Sequence, residues 1–243
     1  MEPTPTISII APCYNERGNL KPLIEAVREV VDPLGQSYEV ILVDDGSRDG
    51  SWEVIQELGR ADHRIRALQL AVNCGQSAAL WAGIQAARGK ILLTMDSDLQ
   101  NPPSEIPHLL EGLRGADCAC GSRVAARAQA DSWLRRISSR IANGVRNRLS
   151  GETISDAGCC FRAFRRECVE NVKFFRGAHR FLPTLIKMEG FRVIEIPVTH
   201  SPRRSGHSHY GIWNRVFKTS VDLLGIRWMK TRALRYQIEE KIN

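Results

Sequence analysis

Four short apolar runs, each followed by a polar cluster and then a stretch with helical spacing, occupy the first hundred residues and leave few folds open. The runs are Ile7 to Ala11, Tyr38 to Val43, Ile65 to Leu70 and the run that starts after Gly89. Between them the spacing predicts helices over Leu20 to about Val31, with Asn19 as cap, from Ser51 to about Arg60, and over Ser77 to Ala87. Strand–helix alternation with short loops predicts an α/β chain with a parallel sheet and helices on both faces. Ligands of such sheets sit beyond the carboxyl ends of the strands. The clusters Tyr14-Asn15-Glu16, Asp44-Asp45, Asn73 and Asp96-Ser97-Asp98 all fall at those ends. The third helix is rich in small residues, Ala78, Ala79, Ala82, Gly83, Ala86 and Ala87, which let a backbone lie close to a sheet or a ligand.

The fourth run ends in two carboxylates two residues apart, Asp96 and Asp98, with the Gln100 amide two further on. Asn101-Pro102-Pro103 then turns the chain, so the carboxylates can converge on one point. Hard divalent cations such as Mg²⁺ or Mn²⁺ take oxygen ligands of this kind and keep open positions for substrate phosphates. The plain alternative is a pair of solvated turn aspartates. There is no Gly-x-Gly-x-x-Gly after the first strand and no Gly-x-x-x-x-Gly-Lys-Ser/Thr, which disfavours a dinucleotide fold or a P-loop. A nucleotide held mainly by carboxylates, with a metal for its phosphates, fits better.

Beyond residue 100 a helix is predicted over Ser104 to Arg114, with Ser104 as cap, and strands over Asp117 to Gly121 and Phe191 to Val198. Pro197 marks the latter as an edge or an end. A short strand-like run, Asp156 to Phe164, carries a carboxylate, a glycine bend and Arg162. Gly121 to Gly151 holds seven arginines and one acid. Trp133 to Leu149 reads as a helix with Arg135, Arg136 and Arg140 off its apolar stripe. Solvated faces usually mix both signs, so this single-sign run beside the predicted pocket favours phosphate binding over a bland surface.

The formal net charge of +7 calls for an anionic partner: nucleic acid, a phosphate-bearing substrate or an anionic membrane. Seven irregularly spaced cysteines without a Cys-x-x-Cys read as small buried residues of a reducing compartment. His207 and His209 lack a third ligand at zinc spacing. No run reaches the ~18 apolar residues of a membrane-spanning helix, and Met1 to Thr6 carries no signal peptide. Ile212 to Tyr236 interleaves Trp213, Phe217, Leu224 and Trp228 with basic residues. That mixture suits a membrane interface, or equally a helix packed on the domain or on a partner. Two units are therefore expected, 1–211 and a basic amphipathic segment over 212–243.

Ile9-Ile10-Ala11-Pro12-Cys13-Tyr14-Asn15-Glu16, Val43-Asp44-Asp45-Gly46-Ser47, Asp96-Ser97-Asp98-Leu99-Gln100-Asn101-Pro102-Pro103 and Gly121-Ser122-Arg123 resemble glycosyltransferase family 2. Within it they are most similar to the polyprenyl-phosphate (dolichyl-phosphate) glycosyltransferases: dolichyl-phosphate mannose synthases and bacterial undecaprenyl-phosphate glucosyl- and aminoarabinose transferases. The resemblance runs from about residue 6 to 225. It implies a GT-A fold, a GDP- or UDP-sugar donor and a lipid phosphate acceptor. Carried over by motif, Pro12, Tyr14 and Glu16 would hold the nucleoside, and Asp45 the base edge, with Asp44 nearby. Asp96, Asp98 and Gln100, with Ser97 between them, would bind metal and donor phosphates. Arg123 would meet the phosphates, Arg135 and Ser139 the acceptor phosphate, and Arg203 the donor phosphate. Relatives usually carry Gly-x-Ser-Lys-Tyr where this chain has Gly206-His207-Ser208-His209-Tyr210. A neutral imidazole at His209 supplies less charge than an ammonium, so a phosphate contact there would depend on pH.

The resemblance implies inverting, metal-dependent transfer to a polyprenyl phosphate. Such an acceptor is already anionic and needs no catalytic base, and the chain shows no obvious Ser/His/Asp set. Many relatives continue into transmembrane helices and this chain stops at Asn243. The expectation is a peripheral enzyme on the cytoplasmic face of a membrane, docked on the membrane surface or on a small membrane protein. Two other readings stand beside it: a soluble family 2 enzyme acting on a polysaccharide or protein, and a nucleic-acid-binding protein. Against the last, the basic residues concentrate in two segments and no recognition motif is present, so no nucleic-acid partner is expected.

Overall fold

The structure, a computed structural model, describes residues 4–125, 154–156, 158–199, 201 and 212–232, with side chains from 221 onward in the last stretch. The strands are β1 (Ile7–Cys13), β2 (Tyr38–Asp44), β3 (Ile65–Gln69), β4 (Ile91–Thr94), β5 (Cys118–Ser122), β6 (Arg162–Arg165) and β7 (Val193–Pro197). The helices are α1 (Arg17–Val31), α2 (Ser51–Ala61), α3 (Gln76–Ala86), α4 (Ile106–Gly112), α5 (Leu182–Met188) and α6 (Ile212–Arg232). The strands form one sheet in the order β3-β2-β1-β4-β6-β5-β7. β1 pairs in parallel with β2 and β4, β2 with β3, and β5 with β7. β6 runs against both β4 and β5. The sheet is thus mostly parallel, with one reversed strand. β7, ending at Pro197, forms an edge, where the missing N–H of proline leaves no ladder bond unmade.

Both faces of the sheet are covered, so the strands read as continuous apolar runs. On one face Ile7, Ile9, Ala11 and Cys13 of β1 pack with Leu20, Leu23, Ile24 and Val27 of α1 and with Ile106 and Leu109 of α4. On the other, Ile10, Ile41 and Val43 meet Ala79, Leu80 and Ile84 of α3. Each fully buried branched side chain contributes roughly 1.5–3 kcal/mol. α3 lies close against the sheet because it is built of small residues: a Cβ at Gly83 would overlap the Ile10 and Val43 side chains.

Two predicted caps are not formed. α1 begins at Arg17, so Asn19 lies inside its first turn, buried, where its amide donates to the Glu16 carboxylate at 2.5 Å. Ser104 falls within a 3₁₀ turn over Pro103–Glu105 and makes no cap bond to α4. In both cases proline or a neighbouring loop sets the helix start. The cysteines are all free thiols; six are buried and Cys74 is exposed. The helix expected over Trp133 to Leu149, and Arg135, Ser139, Arg203 and His209, lie outside the described residues.

Candidate active site

The carboxyl ends of β1, β2, β4 and β5 open on one side of the sheet, and there the loops lock together through polar contacts. Asn15 adopts a left-handed backbone, φ 55°, which asparagine tolerates. Its N–H donates to Ser47 Oγ at 2.8 Å, and its Oδ1 accepts from the Arg48 N–H at 2.8 Å. The Glu16 N–H donates to Ser51 Oγ and the Arg17 N–H to Asp49 Oδ2. The loop after β1, carrying Pro12, Tyr14 and Glu16, all half-buried, is thereby fastened to the loop after β2. Asp44 is fully buried and accepts from the Ser47 N–H and from Gln69 Nε2.

Asp45 organises the next loop. Its Oδ1 accepts the Cys74 N–H at 2.7 Å, and its Oδ2 accepts the Gly75 N–H at 2.9 Å and Asn73 Nδ2 at 3.1 Å. Burial pushes this carboxyl up, against the pull of those backbone bonds. Gly46 makes the approach possible: at φ 72°, any Cβ there would sit 2.8 Å from the Asn73 nitrogen. The residue after Gly75 turns to the acidic pair, with Gln76 Nε2 donating to Asp96 Oδ1 at 2.9 Å. One short loop therefore joins Asp45 to Asp96.

Asp98 is buried and its Oδ1 accepts the Gln100 N–H at 3.1 Å, closing a turn in which Leu99 sits at φ 59°. A left-handed leucine is strained, and such strain collects at functional turns. The turn keeps Asp96 and Asp98 close enough to repel. Burial first, then the Asp98 charge, pushes the Asp96 carboxyl up to about 6. Arg123 and the fully buried Arg162 pull it down. Arg123 follows β5 and is itself buried, its Nε and Nη2 donating to the two oxygens of Asp156 at 2.8 and 3.1 Å. Ser97 is buried within the turn, and the carbonyl of Gln100 accepts the Ser201 N–H at 2.9 Å, which brings the chain after β7 to the acidic loop.

Pro12, Tyr14, Glu16, Asp44, Asp45, Asp96, Ser97, Asp98, Gln100 and Arg123 thus sit on loops at the carboxyl ends of the strands, tied to one another by hydrogen bonds from the first loop to Asp96, whose carboxyl in turn feels the charges of Asp98 and Arg123. Sequence reasoning placed Asn73 at a ligand-bearing strand end and noted the Asp156 carboxylate, but gave no partner to either and no role to Gln76; all three tie these loops together. A buried Arg–Asp pair between residues 33 apart leaves no local signal in a sequence. Among the described residues no three His, Cys, Asp or Glu side chains gather to hold a metal. A cation here would take its protein ligands from the acidic pair and the rest from phosphates or water. The raised Asp96 carboxyl fits that arrangement, since two crowded carboxylates are what a divalent ion relieves.

Comparison with known proteins agrees with this architecture. Over 208 residues the chain is 39% identical to an undecaprenyl-phosphate 4-deoxy-4-formamido-L-arabinose transferase of Edwardsiella ictaluri, and over 212 residues 38% identical to the transferase of the same name from Aeromonas hydrophila. These alignments cover 85% and 86% of the chain but 63% and 64% of the relatives, so the chain spans under two thirds of their length. Among solved structures it superimposes on the mannosyltransferase PcManGT from Pyrobaculum calidifontis in complex with GDP-Man and Mn²⁺ (TM-score 0.62, 18% identity, 97% of this chain and 66% of that one). It also superimposes on glucosyl-3-phosphoglycerate synthase from Mycobacterium tuberculosis with Mn²⁺, UDP and glucosyl-3-phosphoglycerate (TM-score 0.65, 18% identity, 95% and 81%). At that identity the likeness establishes the fold, that of GT-A glycosyltransferases. The profile of glycosyl transferase family 2 matches residues 8–173, from β1 through the acidic loop to just beyond β6, and by that match the chain belongs to glycosyl transferase family 2.

Proposed function

We propose that the chain transfers a sugar from a nucleoside diphosphate sugar to a polyprenyl phosphate, with inversion at the anomeric carbon. One observation carries the reading: Asp96, crowded by Asp98, also feels the charge of Arg123, a buried guanidinium held in a fork by Asp156. The acidic pair suits a cation-bound diphosphate and the guanidinium an anionic acceptor. The names of the two relatives, both undecaprenyl-phosphate transferases, support the lipid acceptor. The GDP-Man, UDP and Mn²⁺ in the structural neighbours support a nucleotide donor and a divalent ion.

In this reading Pro12, Tyr14 and Glu16 hold the nucleoside beside Asp44. Asp45 has about four acceptor sites, three already used by the 73–75 loop, and offers the remaining one to a base N–H. Asp96, Asp98 and Gln100 would hold a Mg²⁺ or Mn²⁺, which when bound would supply charge for the departing diphosphate, with Ser97 beside the nucleotide. Arg123, Arg135 and Ser139 orient the acceptor phosphate. An acceptor oxygen forms the new bond to the anomeric carbon, and the old carbon–oxygen bond breaks with its electron pair going to the diphosphate. No proton has to be removed from the acceptor, so positioning supplies much of the rate. Arg203 and His209 follow Ser201, whose N–H is bonded to the acidic loop, and are assigned to the donor phosphates.

α6 supports a peripheral location on the cytoplasmic face of a membrane. At 100° per residue, Val221, Leu224 and Trp228 share one face and are 54%, 59% and 63% exposed, while Leu223 and Ile226 on the opposite face are buried. Arg227 and Arg232 flank the exposed row. No described helix is long and apolar enough to cross a membrane. Apolar residues flanked by cations suit an anionic lipid interface.

The test is incubation of the chain with lipid phosphate, Mn²⁺ or Mg²⁺ and a panel of GDP- and UDP-sugars. The expected product extracts into organic solvent and carries one added sugar by mass. Product found only on a polysaccharide or protein would favour the soluble alternative. Asp98→Ala is expected to abolish transfer with the fold retained; near-normal metal-dependent transfer by that variant would sink the assignment.

A further inference from the structure

Glu195 lies on β7, in register with Cys120 of β5, two residues before the strand pair ends at Ser122 and Pro197. The proposed reaction makes no use of it, yet its carboxylate is heavily engaged. The Ser155 N–H lies 3.0 and 2.9 Å from its two oxygens, the Ser155 hydroxyl donates to Oε1 at 2.9 Å, and the Asp156 N–H donates to Oε1 at 3.1 Å. The turn held in this way delivers Asp156 to Arg123. Asp156 Oδ2 accepts Arg123 Nε at 2.8 Å and the Arg123 backbone N–H at 3.1 Å, and Oδ1 accepts Nη2 at 3.1 Å. The hydroxyls of Ser122 and Ser155 lie 2.9 Å apart and close the same junction. The Arg123 and Asp156 side chains are only 7% and 5% exposed, so water cannot take over the pairing if the turn shifts.

We propose that Glu195 is a positioning residue for the acceptor. From a rigid edge strand it fixes the Ser155–Asp156 turn, and through Asp156 it sets the orientation of the Arg123 guanidinium. Two of the three guanidinium nitrogens are taken by Asp156, and Nη1 makes no hydrogen bond to a described residue. That nitrogen is the one left to meet an acceptor phosphate oxygen. Fork geometry is directional, and an error near 1 Å at a positioning group costs on the order of 100-fold in rate. A carboxylate is the side chain that can accept from three donors at once, and glutamine would turn an NH₂ toward one of them. The inference rests on the reading of Arg123 as an acceptor ligand.

The experiment uses the full chain and its Glu195→Gln and Glu195→Asp variants, with Arg123→Lys alone and combined with Glu195→Gln. A C15 isoprenyl phosphate serves as acceptor, and UDP and GDP with Mn²⁺ as probes of the donor site. Glu195→Gln is expected to lower kcat/KM for the acceptor about 10- to 100-fold. Nucleotide affinity should stay within about two-fold, and amide exchange at Ser155 and Asp156 should accelerate. Glu195→Asp should recover part of the loss. In the Arg123→Lys background, Glu195→Gln should cost no more than about two-fold further, because both act through one guanidinium. Unchanged amide exchange, multiplicative losses in the double variant, or equal weakening of nucleotide and acceptor would overturn the proposal. Accelerated exchange in a protein whose wild type transfers nothing to any lipid phosphate would instead remove the acceptor reading, and the role of Glu195 with it.

Discussion

Replacing Asp96 by asparagine should make the apo protein more stable at neutral pH while destroying its chemistry. The carboxyl of Asp96 is held near pH 6 by burial and by Asp98, about two units above its ordinary 3.8. An acid whose folded value is raised binds its proton more tightly when folded, so ionising it at neutral pH works against folding. At about 1.4 kcal/mol per unit the penalty is up to about 3 kcal/mol, with about 1–3 kcal/mol expected after local relaxation. Asparagine removes the charge and keeps an oxygen to accept Gln76 Nε2. Urea unfolding with chelator present should show the variant more stable by that amount at pH 7.5. The difference should shrink as pH falls from about 6 towards 4 and vanish below about 3.8, where the wild-type carboxyl is protonated in both the native and the unfolded chain. Added Mn²⁺ and UDP should stabilise the wild type and leave the variant unmoved. A variant that is less stable at pH 7.5, or offset equally at both pH values, would refute the claim that Asp96 is a strained charge waiting for a cation.

Two further perturbations test the scaffold. Gly83→Val should destabilise by about 3 kcal/mol, read as a lower urea midpoint at unchanged slope, because its Cβ overlaps Ile10 and Val43; a change under about 0.5 kcal/mol would mean α3 stands off the sheet. Asp62, against burial, is held down to about 2 by hydrogen bonds from Arg64 and Arg28. A depressed carboxyl contributes above its unfolded value and loses that contribution as pH falls, so Asp62→Asn should cost about 1–2 kcal/mol at pH 7 and progressively less between pH 4 and 2, followed by thermal unfolding across that range.

The strands were legible because burial on both faces writes itself as short apolar runs, and their carboxyl ends because polar clusters interrupt those runs at regular intervals. The close packing of α3 was legible for the same local reason: Ala and Gly at successive positions admit no other role than near approach. Asn19 and Ser104 misled as caps because a capping residue type marks a helix start only when no neighbouring loop supplies the bonds, and here Ser51, Asp49 and the Pro102-Pro103 turn do. Gln76 and Glu195 carried no signal, and Asp156 stood out only as a carboxylate before a glycine bend, with nothing to name its partner. Their partners lie 20, 33 and 39–40 residues away, and no periodicity records which distant polar groups will meet.

By itself the sequence determined the alternation of strand and helix, the side of the sheet on which the polar loops fall, and the acidic and basic residue types offered there. Only tertiary structure decided that β6 runs backwards. The chain leaves β5 at the cleft and re-enters at Ile154–Asp156 beside Ser122 and Arg123, so the next strand has to start from that same edge. It likewise decided that Asp45 and Asp96 share one loop, that Arg123 is locked by Asp156, and that Val221, Leu224 and Trp228 face outward on α6. The physical reason is common to all of these. Hydrophobic periodicity assigns a residue to a face, whereas the partner of a buried charge is chosen by whichever long-range contact satisfies it once the chain has collapsed.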